Sequence, residues 1–203
     1  MFLKNFCNIF TENTILKKDA LRIRFKNLRD KLSEEDLEVK STLINQQLIQ
    51  KIEALEPKMI HCFLPIKAMK EINTQVIFDY CWRNQINIAA PVSDFSTQTM
   101  KSALITQNTK IVKGAFNIPE PESPQWIKES EIDFVITPLL AFDQSGYRVG
   151  YGKGFYDKFF KTLSQNILKV GVCVFEAIPK IDDLQDMDVK LDQCITPINI
   201  YTF

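Results

Sequence analysis

The first regular pattern of apolar residues along the chain has the period of an α-helix. Between residues 21 and 32, apolar side chains recur every three or four positions, which places them on one helical face. These positions are Leu21, Phe25, Leu28 and Leu32. The pattern predicts a helix over residues 15–31. The segment Ser33–Asp36 then resembles a capping box, which predicts a second helix closed off near Pro57.

Beyond that proline, the pattern changes to short, continuous apolar runs that are typical of buried strands. The predicted strands cover residues 59–64, 86–92, 100–106, 110–112, 134–142, 168–175 and 194–198. Helices are predicted between them at residues 73–84 and 155–163. Residues 117–124 contain three prolines and are predicted to form an extended loop.

Strands that alternate with helices predict an α/β fold with a mainly parallel sheet and helices on both faces. The chain contains no internal repeat and no low-complexity linker. We therefore interpret residues 15–203 as a single domain, preceded by residues 1–14 as a flexible leader.

Composition narrows the functional classes. The chain has 25 basic and 25 acidic residues, and this balance argues against nucleic acid as a partner. Its five cysteines are scattered without a C-x-x-C pair, which argues against a disulfide framework or a structural zinc site. No apolar run reaches the length of a membrane span, so we expect no membrane partner. The scattered cysteines indicate reduced thiols and therefore a cytoplasmic protein. The single histidine, His61, lies within an apolar run and is interpreted as a strand residue.

A glycine-rich loop carries the strongest chemical information. Four of the six glycines lie within residues 146–154, between a predicted strand and a predicted helix. Such a loop brings backbone N–H groups and a helix N-terminus close to an anion. Arg148 and Lys153 add positive charges suited to phosphate oxygens. The spacing G-x-G-x-G matches neither a P-loop nor a Rossmann fingerprint, and on spacing alone an ordinary flexible loop stays open.

The string GYRVGYGKGFYDKFF at residues 146–160 closely resembles the signature of the 5-formyltetrahydrofolate cyclo-ligases, also called methenyltetrahydrofolate synthetases. Other segments resemble the same family in the same order, from residue 17 to residue 197. They are the helix with Lys18 and Arg22, Phe63–Pro65, Lys70–Thr74, Gly114–Pro121 and Asp188–Asp192.

The resemblance implies a C–N bond-forming ligase that uses ATP and Mg²⁺ to cyclise 5-formyltetrahydrofolate to 5,10-methenyltetrahydrofolate, with release of ADP and phosphate. In this reaction the formyl oxygen attacks the γ-phosphate, and N10 of the folate then closes on the activated carbon. The resemblance also implies a Rossmann-like scaffold similar to sugar-phosphate isomerases and CoA transferases. We expect a monomer whose partner is the small-molecule folate.

By the same resemblance, Arg148 and Lys153 are catalytic, and Asp157 and Asp188 hold Mg²⁺. The implied nucleotide-binding residues are Lys18, Arg22, Arg148, Gly150, Tyr151, Gly152, Lys153, Gly154, Phe155 and Tyr156. The implied folate-binding residues are Leu64, Glu71, Phe116, Tyr151, Phe155 and Tyr156.

Three alternatives stay open at this point. The chain could be a different enzyme on the same scaffold, because fold does not determine function. It could instead be a relative that binds nucleotide or folate without turnover. A nucleic-acid binder that uses the basic first helix is the third alternative, and the zero net charge disfavours it.

Overall fold

The computed structural model describes residues 16–203, so the predicted leader at residues 1–14 lies outside the described part of the chain. The helices are α1 (Lys18–Asp30), α2 (Glu34–Leu55), α3 (Gln75–Arg83) and α4 (Phe155–Thr162). The strands are β1 (Met59–Cys62), β2 (Asn87–Asp94), β3 (Thr99–Leu104), β4 (Ile111–Lys113), β5 (Pro119–Pro121), β6 (Gln125–Trp126), β7 (Phe134–Pro138), β8 (Ala141–Phe142), β9 (Arg148–Val149), β10 (Leu168–Val172), β11 (Gln193–Ile195) and β12 (Ile200–Thr202). Short 3-10 helices cover Lys67–Met69, Ala115–Asn117 and Glu129–Glu131.

Eight strands form one sheet in the order β12-β11-β10-β7-β1-β2-β3-β6. The five central strands, from β11 to β2, pair in parallel. β12 at one end, and β3 and β6 at the other, pair antiparallel. The predicted mainly parallel α/β sheet is therefore confirmed, with antiparallel strands at both edges.

Helices cover both faces of this sheet, as predicted. Side chains alternate between faces along a strand, and β1 shows both sides. The ring of His61 lies 4.6 Å from the ring of Phe159 in α4. The next residue, Cys62, lies near Cys81 of α3 on the other face. All four side chains are buried, which confirms His61 as a strand residue in the core.

The N-terminal helices follow the apolar periodicity. Leu21 and Phe25 of α1 are 1% and 3% exposed. The N-terminus of α2 is capped as expected, because the backbone N–H of Asp36 donates to Oγ of Ser33 over 2.9 Å. The helix ends at Leu55, and the next residue, Glu56, adopts a left-handed conformation with φ of 46° before Pro57.

Several strand boundaries differ from the predictions. The apolar run 134–142 contains β7 and then β8, which pairs with β9 in a separate two-stranded sheet. The proline-rich segment 117–124, predicted as a loop, contains β5, which pairs with β4. Proline is compatible with such a short edge pair because it sacrifices few ladder hydrogen bonds. At the C-terminus, the predicted strand 194–198 is replaced by β11 and β12.

The parallel strands β1, β2 and β7 end at one edge of the sheet. The loops after these strands therefore meet there, as in other open α/β sheets. Among residues 16–203, none of the helices combines the length and the apolar character that a bilayer span requires.

Candidate active site

A cavity of about 800 Å³ lies at the carboxyl edge of the parallel strands. Residues from α1, the loop after β1, the glycine-rich loop and residues 183–188 line it. All residues predicted for the site line this one cavity, although their individual roles remain predictions. They are Lys18, Arg22, Leu64, Glu71, Phe116, Arg148, Gly150, Tyr151, Gly152, Lys153, Gly154, Phe155, Tyr156, Asp157 and Asp188.

Arg148 is held in one orientation by several contacts. Its side chain is 6% exposed, and Nη2 lies 2.8 Å from Oδ1 of Asp157. Nη1 donates to the carbonyl of Val189 over 2.5 Å, and the guanidinium lies 4.7 Å from the centre of the Phe160 ring. Burial lowers the pKa of Arg148, and the charges of Asp157 and Asp188 oppose that shift. The guanidinium stays protonated, because arginine does not lose its proton in proteins.

A second ion pair joins α1 to the segment before β11. Nζ of Lys18 forms a salt bridge with Oδ2 of Asp188. The same oxygen accepts the backbone N–H of Gln185 over 2.7 Å. The backbone N–H of Lys18 itself donates to Oδ1 of Asp183 over 2.8 Å, so a carboxylate occupies the positive end of α1. These contacts fix the N-terminus of α1 beside the cavity.

The glycine-rich loop passes directly against α1. Nε of Arg22 donates to the carbonyl of Gly150 over 3.1 Å. Gly152 has φ of 90°, and a β-carbon there would lie 3.1 Å from Nε of Arg22. Any larger residue at this position would be strained and would displace Arg22. Gly154, with φ of 68°, begins α4 in a left-handed conformation. The side chain of Lys153 lines the cavity and is exposed.

Glu71 is the buried carboxylate of the site. It is 6% exposed, and Oε2 accepts the backbone N–H of Ile66 over 2.8 Å. Oε1 accepts the hydroxyl of Tyr151 over 2.8 Å, and that hydroxyl accepts Nη1 of Arg29 over 2.9 Å. Burial raises the pKa of Glu71, whereas the hydrogen bonds from Ile66 and Tyr151 and the charge of Arg29 lower it.

Three phenylalanines form an aromatic wall of the cavity. The ring centres of Phe95 and Phe116 are 4.6 Å apart, and those of Phe95 and Phe155 are 5.1 Å apart. Phe116 is 74% exposed and adopts φ of 57° in the turn between β4 and β5. This wall offers an apolar face to a flat ring, and Leu64, which also lines the cavity, is half-buried.

Tyr156 lines the cavity and has an unsatisfied hydroxyl. Its ring packs against Phe160, with ring centres 5.8 Å apart. The hydroxyl oxygen is buried and finds no hydrogen-bond partner among residues 16–203. Burial raises the pKa of this tyrosine well above its ordinary value. A buried hydroxyl without a partner is costly, and this makes Tyr156 a candidate donor to a ligand atom.

The two predicted magnesium ligands, Asp157 and Asp188, both line the cavity close to Arg148. Within the described residues, no group of three or more His, Cys, Asp or Glu side chains could hold a metal ion. Mg²⁺ commonly binds one or two carboxylates and takes its other ligands from phosphates and water. The donor set therefore fits Mg²⁺ that arrives together with a phosphate ligand, and does not fit a metal held by protein alone.

Sequence reasoning missed two residues that contact predicted site residues, Arg29 beside Tyr151 and Phe95 beside Phe116. Arg29 lies seven positions after Arg22 in the same basic stripe of α1, and this spacing of two helical turns could have pointed to it. Phe95 lies in the turn between β2 and β3. Its contact with Phe116 is long-range, and no local motif marks it.

Fold and cavity together define the class: an α/β enzyme with a ligand-sized cleft at the carboxyl edge of a parallel sheet. Residues 14–197 match the family model described as the 5-formyltetrahydrofolate cyclo-ligase family. The chain therefore belongs to the 5-formyltetrahydrofolate cyclo-ligase family, which confirms the predicted family and the predicted ligase class.

Individual relatives agree with this assignment. The chain is 29% identical to a 5-formyltetrahydrofolate cyclo-ligase of Mycoplasma pneumoniae, over 89% of this chain and 98% of that protein. It is 28% identical to the enzyme of that name from Mus musculus, over 73% of this chain and 76% of that protein. Among solved structures, the 5,10-methenyltetrahydrofolate synthetase of Aquifex aeolicus superimposes with a TM-score of 0.73 at 27% identity, covering 91% of this chain and 92% of that one.

Proposed function

We propose that this protein catalyses the ATP-dependent cyclisation of 5-formyltetrahydrofolate to 5,10-methenyltetrahydrofolate. The observation that carries the proposal is the set of groups around one cavity. Two ion pairs and a glycine-rich loop suit a polyphosphate, and a buried carboxylate and an aromatic wall suit a flat, N–H-rich ring.

The reaction needs activation of a poor leaving group. The formyl oxygen attacks the γ-phosphorus of ATP, and the bond to ADP breaks. N10 then attacks the formyl carbon, its proton is lost to solvent, and phosphate leaves with the former formyl oxygen. The protein forms no covalent bond in this sequence, so its contribution is positioning and charge stabilisation.

The residues divide between the two substrates. Lys18, Arg22 and the loop 150–154 bind the phosphate chain of ATP. Arg148 is fixed by its contacts before any ligand arrives, so it stabilises phosphoryl charge without reorganisation. Lys153 is exposed and reaches the transferred group by its flexible stem.

Asp157 and Asp188 hold Mg²⁺ in this proposal. Mg²⁺ bound by these carboxylates would neutralise charge on the phosphates of ATP. Each carboxylate uses one oxygen for the contacts described above, namely Oδ1 of Asp157 with Arg148 and Oδ2 of Asp188 with Lys18 and Gln185. The second oxygen of each side chain is the donor that we assign to the ion.

Glu71 orients the folate. A carboxylate offers about four lone-pair sites, and Ile66 and Tyr151 occupy two of those on Glu71. The remaining sites accept N–H groups of the pterin ring, and Leu64 and Phe116 contact its faces. Tyr156 donates its unpaired hydroxyl to a ligand oxygen.

An absorbance assay tests the proposal directly. The purified protein is mixed with 5-formyltetrahydrofolate, Mg²⁺ and ATP, and the near-ultraviolet band of the methenyl product is followed. We expect a rise that requires all three additions. A flat trace from folded protein that still binds ATP would contradict catalysis and favour a binding relative without turnover.

A further inference from the structure

A chain of hydrogen bonds runs from behind the cavity to Glu71. Arg29 donates to the hydroxyl of Tyr151, and Tyr151 donates to Glu71, over 2.9 Å and 2.8 Å. Arg29 belongs to α1, Tyr151 to the glycine-rich loop, and Glu71 to the segment before α3. Three separate elements therefore converge on one carboxylate.

Arg29 differs from the other basic residues of α1 at the site. It is 4% exposed, and it does not line the cavity, whereas Lys18, Arg22 and Lys26 do. Its Nη2 donates to the carbonyl of Leu139 over 2.5 Å, immediately after β7. Arg29 is thus anchored to the sheet edge by Leu139. Its hydrogen bond to Tyr151 connects it to a residue that lines the cavity.

The chemistry of each group determines which one donates and which one accepts in these hydrogen bonds. Arginine can only donate, so the oxygen of Tyr151 is the acceptor and its proton is left to donate to Glu71. Donation from a cation polarises the hydroxyl and strengthens its bond to the carboxylate. Glu71 is buried, and the chain from Arg29 supplies the positive charge that a buried carboxylate requires.

We propose that Arg29 and Tyr151 are positioning residues for folate binding, which hold the Glu71 carboxylate in one orientation. This inference rests on the proposed function, because it assigns Glu71 to the folate. It makes the glycine-rich loop a part of the folate site as well as of the phosphate site, since Tyr151 lies between Gly150 and Gly152.

Loss of the tyrosine hydroxyl has a defined consequence for acidity. The groups that face Glu71 are the backbone N–H of Ile66, the hydroxyls of Tyr151 and Tyr156, and the charge of Arg29. Burial raises the pKa of Glu71, and donation from Tyr151 opposes that rise. A Tyr151→Phe substitution therefore raises this pKa further, and folate binding weakens on the acid side first.

The decisive experiment is a double-mutant cycle between Tyr151→Phe and Glu71→Gln. For Tyr151→Phe we expect about a tenfold rise in KM for 5-formyltetrahydrofolate, with KM for ATP within twofold of wild type. In the Glu71→Gln background the same substitution should change KM for the folate by less than about twofold. Tyr201→Phe is the matched control, because Tyr201 also donates to a glutamate, Glu176 over 2.8 Å, away from the cavity lining.

Arg29→Lys and Arg29→Met test the far end of the chain. The lysine variant keeps the charge and should recover most of the folate affinity that the methionine variant loses. Thermal unfolding shows whether either Arg29 variant fails to fold. If one does, the Tyr151→Phe result alone tests the positioning role. An equal effect of Tyr151→Phe with and without the carboxylate of Glu71, or equal rises in KM for both substrates, would overturn the positioning role.

A second readout separates this inference from the proposed function. The side-chain carboxyl of Glu71 is titrated by ¹³C NMR in ligand-free protein, with Glu71→Gln to assign the resonance. A higher pKa in Tyr151→Phe than in wild type supports the positioning role, and an unchanged pKa overturns it. Absence of turnover in the wild type would contradict the proposed cyclisation. The NMR titration needs no turnover, so it would still test whether Tyr151 acts on Glu71.

Discussion

Two walls of the same cavity are built on different physical principles. The charged wall contains two ion pairs, Lys18–Asp188 and Arg148–Asp157. It also contains Arg22, which pairs with Asp19 and donates to the carbonyl of Gly150. The aromatic wall consists of Phe95, Phe116 and Phe155, and Phe116 remains 74% exposed. The charged wall is thus preorganised without ligand, whereas the aromatic wall gains much of its contact area when a ring binds.

This difference predicts where substitutions act. A preorganised charge matters most for charge that develops in the transition state, so its loss lowers kcat. An exposed ring contributes equally to ground state and transition state, so its loss raises KM.

Asp157→Asn should have the largest effect. The amide keeps the size of the side chain but loses the charge that pairs with Arg148 and that we propose to bind Mg²⁺. We expect kcat to fall about 100-fold or more in the absorbance assay, with folate affinity nearly unchanged.

Asp133→Asn is the matched control for this substitution. Asp133 accepts the backbone N–H groups of Lys58 and Met59 over 2.8 Å and 3.0 Å at the amino end of β1. It should retain wild-type turnover. A kcat within threefold of wild type for Asp157→Asn would show that the charged wall does not contribute to the chemical step.

Phe116→Ala should raise KM for 5-formyltetrahydrofolate by about tenfold while kcat changes little, because the lost ring contact is worth up to about 1.5 kcal/mol. The free energy of unfolding should change by less than about 0.5 kcal/mol, since the side chain is 74% exposed. Trp126→Ala, at another exposed aromatic residue outside the cavity lining, serves as control. If Phe116→Ala lowered kcat without raising KM, the aromatic wall would not differ from the charged wall in the way proposed.

Tyr156→Phe should separate stability from binding. The hydroxyl is buried without a partner in residues 16–203, so its removal should raise the free energy of unfolding by about 1 kcal/mol. Folate affinity, measured by calorimetry, should fall about fivefold because the ligand loses a donor. Reduced stability together with unchanged affinity would show that the hydroxyl serves the fold rather than the ligand.

The smallest effect is expected at His61, which packs against Phe159 and Tyr156 and does not line the cavity. Burial lowers its pKa from 6.5 to about 3. The unfolded chain therefore binds a proton that the folded chain excludes, and stability falls as the pH drops from about 6.5 toward about 3. Turnover at neutral pH should not depend on the protonation of this residue.

NMR checks this prediction without ambiguity, because His61 is the single histidine of the chain. Its ring resonances should not titrate between about pH 5.5 and 8. Titration near the ordinary histidine pKa would mean that the ring is accessible from the cavity.

Local patterns in the sequence were sufficient for much of the fold. The face of α1 that carries Leu21 and Phe25 follows from a repeat within a single helix. The cap at Ser33 follows from a local pattern, because Ser33 and Asp36 belong to the same four-residue segment. By contrast, β8 and β9 were not predicted as a separate pair, because two-residue strands exist only through pairing with one another. The same holds for β5 and β12, whose partners are set by the folded chain.

The amino-acid sequence by itself determined the class of fold through its periodicity, which is a local property. Motifs that resemble the family identified that family and part of the cavity lining. Tertiary structure alone decided which charges meet. Lys18 and Asp188 are 170 positions apart, and Arg29 reaches Glu71 through a tyrosine from a third segment. Such partners depend on how the sheet brings its loops together, and burial then makes each pairing obligatory, since a buried charge without a partner would destabilise the fold.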